Sequence, residues 1–128
     1  MAREFKVIVA GSRTAGDNPS TYQLLERKLN LILEKKSITH DIVIVSGGAK
    51  GADLWGELYA RDYNYKVKRY PADWDRFGKR AGYLRNEDMA ANADALVALW
   101  DGTSRGTQHM INIAAQHGLP TRIIRFGD

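Results

Sequence analysis

The chain contains no cysteine, which excludes disulfide bonds and thiolate-held metals. Its three histidines, His40, His109 and His117, show no metal-ligand spacing, so no metal site is expected. No apolar run approaches the ~18–20 residues that a membrane-crossing helix needs, so no membrane partner is expected. The opening Met1-Ala2-Arg3-Glu4-Phe5 lacks an apolar stretch behind a basic one; the expectation is a cytoplasmic chain without a signal peptide. Internal repeats, low-complexity segments and Pro/Gly/Ser linkers are also missing. Residues 1–128 are therefore expected to form a single domain, close to the commonest domain size. Dense Lys/Arg tracts are absent as well. The net charge of +4 and the isoelectric point near 9.4 give a mild lean toward nucleotides, nucleic acid or acidic proteins.

Against these absences stand five short apolar runs: Phe5 to Ala10, Asp41 to Val45, Tyr65 to Tyr70, Ala95 to Trp100 and Thr121 to Phe126. The first, second and fourth are nearly continuous, as strands buried on both faces require. The third and fifth alternate, as edge strands do. Helical spacing fills the gaps. Tyr22, Leu25, Leu29, Ile32 and Leu33 share a face behind a Pro19-Ser20-Thr21 start. Leu54, Trp55, Leu58 and Tyr59 make a second stripe. A third helix is expected from near Gly82 to Asn92, with Leu84, Met89 and Ala90 inward. Met110, Ile113, Ala114 and His117 make the fourth, stopped by Gly118 and Pro120. Regular alternation of strand and helix predicts an α/β fold: an open, parallel, five-stranded Rossmann-like sheet with helices on both faces, a three-layer α/β/α arrangement. The strand order 3-2-1-4-5 is expected.

In such sheets ligands bind beyond the carboxyl ends of the strands, near the point where the order reverses. Three loops leave that edge. They are Gly11-Ser12-Arg13-Thr14, Ser46-Gly47-Gly48-Ala49-Lys50-Gly51-Ala52-Asp53 and Asp101-Gly102-Thr103-Ser104-Arg105-Gly106-Thr107. Each carries glycine, a hydroxyl and a cation. Glycine lets backbone come close to a ligand, N–H groups at a helix start point at an anion, and Arg or Lys supplies charge. One such loop is ordinary in an α/β protein; three converging loops predict a phosphate site. It is not a Walker A loop, because Gly48-Ala49-Lys50-Gly51 lacks the following Lys-Ser or Lys-Thr. The first loop is not GxGxxG, so dinucleotide dehydrogenase binding is not supported, and no cofactor is expected.

Further candidates follow the third strand. Trp74 suits a stacking partner for a base, or equally a core or lid anchor. Arg85 and Asn86 reach toward the ligand from the third helix, where solvation and capping are the alternatives. Asp53 suits a ribose hydroxyl, although an acid in a helix's first turn is favoured by the dipole anyway. His109 lies just inside the last helix.

Read in order, Gly11-Ser12-Arg13, Ser46 to Asp53, Pro71-Ala72-Asp73-Trp74, Arg85-Asn86 and Ser104-Arg105-Gly106-Thr107 resemble the YspA-like, cpYpsA-related branch of the SLOG superfamily. The resemblance covers nearly the whole chain. It implies a Rossmann-like fold that holds nucleotides or nucleotide-derived ligands. SLOG groups the DNA-processing protein A family with the LOG phosphoribohydrolases. Arg85-Asn86-Glu87-Asp88-Met89 resembles the Arg-Lys-x-x-Met helix start of the LOG enzymes, and Gly106-Thr107 their phosphate loop. Gln108-His109-Met110 then stands where their glutamates would be, so the carboxylate for N-glycosidic cleavage has no match. Arg85, His109 and Glu87 are left as catalytic candidates, with Asp101 as a further acid. Ser46 to Asp53 also resembles the Ser-Gly-x-Ala-x-Gly-Ile-Asp loop of the DNA-processing family. Arg85-Asn86 resembles its Arg-Asn-Arg segment, with Glu87 replacing the second arginine.

Three readings result. The first is a sensor or processing domain for a phosphate-bearing nucleotide or derivative. The second is a nucleoside monophosphate N-glycosidase. The third is a single-strand nucleic-acid binder, suggested by the basic charge and by Trp55, Trp74 and Trp100. Trp55 and Trp100 fall on expected core faces, which places the third reading last. The sequence leaves monomer and homo-oligomer open.

Overall fold

A computed structural model describes residues 3–127. Five strands, β1 (Arg3–Gly11), β2 (His40–Ser46), β3 (Lys66–Arg69), β4 (Ala95–Trp100) and β5 (Thr121–Arg125), form one sheet. Its order is β3-β2-β1-β4-β5, with every neighbouring pair parallel. Continuous apolar runs lie in the middle and alternating ones at the edges, because only the central strands are covered on both faces.

Alternate residues of the central strands face opposite layers. Val7, Val9, Ile42, Ile44 and Val97 pack under α1 (Ser20–Thr39) and α2 (Ala52–Asp62), meeting Leu25, Leu29, Leu33 and Tyr59. Ile8, Ala10, Val43, Val45, Leu96 and Ala98 pack under α4 (Ala81–Ala91) and α5 (Arg105–Gln116), meeting Met89, Ala90, Met110 and Ile113. The α1 start is capped by Asn18, whose Oδ1 accepts from the Ser20 N–H at 3.1 Å and the Ser20 hydroxyl at 2.7 Å. None of the helices among the described residues is long and apolar enough to cross a membrane.

Three helices differ from expectation. In α2 the buried face is Ala52, Asp53, Gly56, Tyr59 and Ala60, and Leu54 is 48% exposed. Gly56 lies directly on Val9, where a Cβ would collide with the valine side chain. That close approach fixes the helix rotation and turns Leu54 outward. The third expected helix begins at Ala81, preceded by a one-turn helix α3 (Trp74–Phe77) and a 3-10 turn at Gly78–Arg80. Leu84 is only half-buried, while Asn86, a polar residue, is 6% exposed. His117 sits at the exposed C-cap of α5 rather than on its buried face.

The carboxyl ends of β1, β2 and β4 stay level, with Ile8 opposite Val45 and Gly11 opposite Leu99. Their following loops therefore open on one edge.

Candidate functional site

A cavity of about 550 Å³ lies at that edge. From the β1 loop, Gly11 and Arg13 line it; from the β2 loop, Gly47, Gly48 and Asp53 do. The β4 loop and α5 add Asp101, Ser104, Gly106 and Thr107, and α3 and α4 add Trp74, Arg85 and Asn86. Ser12, Lys50, Gly51 and Arg105 stay off the cavity wall, as do His109 and Glu87.

Four of these absences have structural causes. Ser12 is 1% exposed; its hydroxyl accepts from the Asp101 N–H at 3.0 Å and its N–H donates to the Leu99 carbonyl at 2.9 Å. It therefore ties the β1 loop to the β4 loop. Gly51 has φ +83°, and a Cβ there would strike the carbonyls of Ser12 and Arg13. Its glycine lets the β2 loop lie against the β1 loop, where the Ala52 N–H reaches the Ser12 carbonyl at 3.3 Å. Glu87 is exposed beside His117, 3.4 Å away, so it is withdrawn from the catalytic candidates. His109 lies behind the wall, its Nδ1 3.1 Å from the Asn86 amide nitrogen and its ring against Tyr83.

The backbone donors are also divided. Gly48 spends its N–H on the Ser46 hydroxyl at 3.0 Å, and Ala49 spends its own on Asp53 Oδ2 at 3.2 Å. The β2 loop thus gives few donors to a ligand. The α5 start differs: its first N–H groups have no intrahelical acceptor, and Ser104 makes no side-chain cap to replace one. They adjoin Gly106 and Thr107 on the wall, where a helix N-terminus favours an anion.

Charge is arranged unevenly. Arg85 donates through Nη1 to the Gly47 carbonyl at 2.7 Å and through Nε to Asn86 Oδ1 at 3.0 Å. Burial, with Arg13 nearby, lowers its pKa, and Asp53 opposes the shift. Neither Arg13 nor Arg85 forms a salt bridge among the described residues. Asp53, 5% exposed, has its carboxyl pushed up to about 6 by burial, against the pull of the Ala49 N–H and of Arg85. Asp101 behaves in the opposite way. The Thr103 and Ser104 N–H groups hold its carboxyl down to about 2; both donate to Oδ1 at 2.9 Å.

Two wall residues were not singled out in the sequence, Lys79 and Tyr83. Gly82, Asn86 and Met89 fall at i, i+4 and i+7 of α4 and all line the cavity, a spacing that also turns Tyr83, three before Asn86, to the wall, whereas Lys79 lies in the preceding 3-10 turn. Tyr83 and Trp74 stand at the mouth, 47% and 53% exposed.

A parallel five-stranded sheet whose central loops open on a cation-lined cavity at its carboxyl edge defines the Rossmann-like α/β class. Within that class the chain belongs to the YspA, cpYpsA-related SLOG family, whose model matches residues 5–77. The match includes the β1 and β2 loops; Arg85 and the α5 start lie beyond it. The chain is 35% identical over 130 residues to Gene 61 protein of Mycobacterium phage D29, covering 96% of this chain and 97% of that one. In fold it is similar to DNA processing protein A (DprA) from Streptococcus pneumoniae, with TM-score 0.74 and 19% identity. That likeness covers 98% of this chain and 51% of the other, so the chain spans about half of that protein. DNA processing protein A from Helicobacter pylori, solved for its single-stranded DNA binding mode, gives 0.66 at 21% identity over 96% of this chain and 66% of that one. TM1055 gives 0.65 at 22% identity over 93% and 72%. At such identities these likenesses show the shared fold.

Proposed function

We propose that the chain binds a phosphate-bearing nucleotide or nucleotide-derived ligand in this cavity, as a sensor or binding domain. One observation carries the reading. Arg13 and Arg85 reach one cavity with no carboxylate at salt-bridge distance among the described residues, beside the uncapped start of α5. The half-buried Arg85 guanidinium, with the Arg13 charge nearby, is held at a desolvation cost until an anion joins it. The volume, about 550 Å³, suits a mononucleotide, within the ~300–1,000 Å³ of small-ligand sites. Trp74 and Tyr83 offer ring faces to a base at the mouth, and Asp53 offers an acceptor to a sugar hydroxyl.

The test is ligand-induced thermal stabilisation by AMP, ribose 5-phosphate and adenosine. At ~100 times its dissociation constant, AMP adds about 2.7 kcal/mol of stability, and ribose 5-phosphate also stabilises. Adenosine does much less. Equal shifts from AMP and adenosine would refute the phosphate site.

A second reading has its own observation. Trp74, Phe77 and Tyr83 are exposed large aromatics, interleaved with Arg76, Lys79 and Arg80. Stacking rings between cations suit single-stranded nucleic acid. Salt-dependent binding of an oligonucleotide far tighter than that of AMP selects this reading over the first.

A further inference from the structure

The hydrogen bonds behind Arg85 run in one direction only. A guanidinium has donors and no acceptor. Since Arg85 Nε lies 3.0 Å from the Asn86 side chain, the group facing it is the amide oxygen. The amide nitrogen, a donor, must then face the other way, and its neighbour there is His109 Nδ1 at 3.1 Å. That nitrogen has to accept, so it carries a lone pair and the ring proton sits on Nε2. Burial lowers the pKa of His109, although Glu87 opposes this, and so favours the neutral ring that the contact demands. The ring is also held in place by Tyr83, 4.4 Å away between centroids.

We infer that Asn86 and His109 are positioning residues that hold the Arg85 guanidinium in its ligand-ready orientation by a hydrogen-bond chain from α5 through α4 to the cavity. The inference rests on the proposal that the cavity binds an anion. Arg85 is pinned at two of its nitrogens, by the Gly47 carbonyl and the Asn86 amide oxygen. Among the described residues this leaves Nη2 uncommitted at the wall. An arginine fixed before binding loses less rotamer freedom on meeting its ligand. Asn86 is 6% exposed, so water offers its amide little substitute for the histidine acceptor. If His109 lost its lone pair, the amide would keep an unmet donor on one side or turn and face Arg85 with a second donor. In either case the plane of Arg85 is released.

A mere packing role for His109 at the α4–α5 contact makes different predictions. His109→Leu keeps apolar bulk and removes the acceptor. His109→Asn is smaller but keeps an oxygen where Nδ1 stood. By calorimetric titration with AMP, the leucine variant is expected to bind roughly tenfold more weakly, the scale of one lost hydrogen bond, and the asparagine variant within about threefold of wild type. In an Arg85→Ala background, His109→Leu has no further effect, because the residue acts only through Arg85. Nitrogen-15 NMR of the unliganded protein shows His109 as the neutral tautomer with its proton on Nε2.

The outcomes separate. If wild type binds neither AMP nor inorganic phosphate, the anion-site proposal falls and this inference falls with it. If wild type binds and His109→Leu binds equally well, or weakens binding as much without Arg85 as with it, the relay alone is overturned. A proton on Nδ1 in the NMR spectrum overturns it too, and that measurement decides the matter if the leucine variant does not fold.

Discussion

Asp53 is a carboxyl that the fold keeps at a cost, and removing its charge tests that account. It lies in the first turn of α2, 5% exposed, with its pKa raised by burial from 3.8 to about 6. At about 1.4 kcal/mol for each pH unit, keeping the group ionised in the folded state costs about 3 kcal/mol. The unfolded chain releases this proton near pH 4 and the folded one near pH 6. Between those values the folded state holds a proton that the unfolded state has lost. This group's contribution to stability therefore falls as pH rises through the window, and the full penalty is present above it. Asp53→Asn carries no charge and still offers Ala49 an acceptor. At pH 8 the variant is expected to be more stable by about 2–3 kcal/mol, a gain of roughly 10 °C in Tm for a domain of this size. At pH 4 the gap shrinks to roughly 0.5 kcal/mol, because the wild-type carboxyl is protonated when folded and about two-fifths so when unfolded. Thermal melts followed by circular dichroism at both pH values are the assay. A variant that melts no higher than wild type at pH 8, or a gap of the same size at pH 4, refutes the reasoning.

Arg85→Ala is expected to weaken AMP binding by roughly 1.5–3 kcal/mol, the scale of a charged hydrogen bond, with the fold intact; calorimetric titration measures it, and unchanged affinity removes Arg85 from the site. Gly51→Ala forces a Cβ onto the Ser12 and Arg13 carbonyls at φ +83°, and is expected to cost at least ~1–3 kcal/mol in urea unfolding. Ribose 5-phosphate release from AMP, GMP, CMP and UMP is expected to be weak or absent; turnover in the ordinary enzyme range of ~1–10³ per second contradicts the binding reading.

The sheet was legible because its information is local. Runs such as Lys6-Val7-Ile8-Val9-Ala10 carry the mark of two-sided burial, and Lys66-Val67-Lys68-Arg69 that of an edge. The strand order and the level loop openings then follow from parallel topology. What stayed hidden depends on contacts far apart in the chain. The outward turn of Leu54 is set by Gly56 against Val9, 47 residues away by subtraction of their numbers. Asn86 reads as a capping or solvated residue until His109, on the next helix, is seen to accept from it. Ser12 and Gly51 mislead for a related reason. Hydroxyls and glycines that cradle a phosphate are also the groups that let one loop pack on another, and only the folded chain separates the two uses. Asp53 was placed as a ligand contact, but its raised pKa follows from burial depth that no spacing rule gives.

The supply of acids around the cavity bears on what the site does with a ligand. Cleaving a base from a sugar calls for negative charge near the sugar as it becomes cationic, and a proton donor near the departing base. Asp101 is on the wall and ionised, but Thr103 and Ser104 occupy one of its oxygens and Thr14 approaches the other at 3.2 Å. A carboxylate held that firmly, with its pKa near 2, orders the β4 loop and is a poor proton donor. Glu87 is half-exposed beside His117 and off the cavity wall. His109 is separated from the cavity by Asn86 and has its Nδ1 lone pair engaged. Among the described wall residues that leaves Asp53, one carboxyl poised near neutrality, and an Asp101 whose charge the β4 loop already engages. Arg13, Arg85 and the α5 start would meanwhile grip a phosphate equally well before and after any bond broke, and uniform binding of that kind lowers no barrier. The same groups come from the β1 loop, α4 and α5, so one bound anion would bridge the β1 loop to the packed α4–α5 pair. Such a bridge is what the proposed sensor reading expects of a bound phosphate.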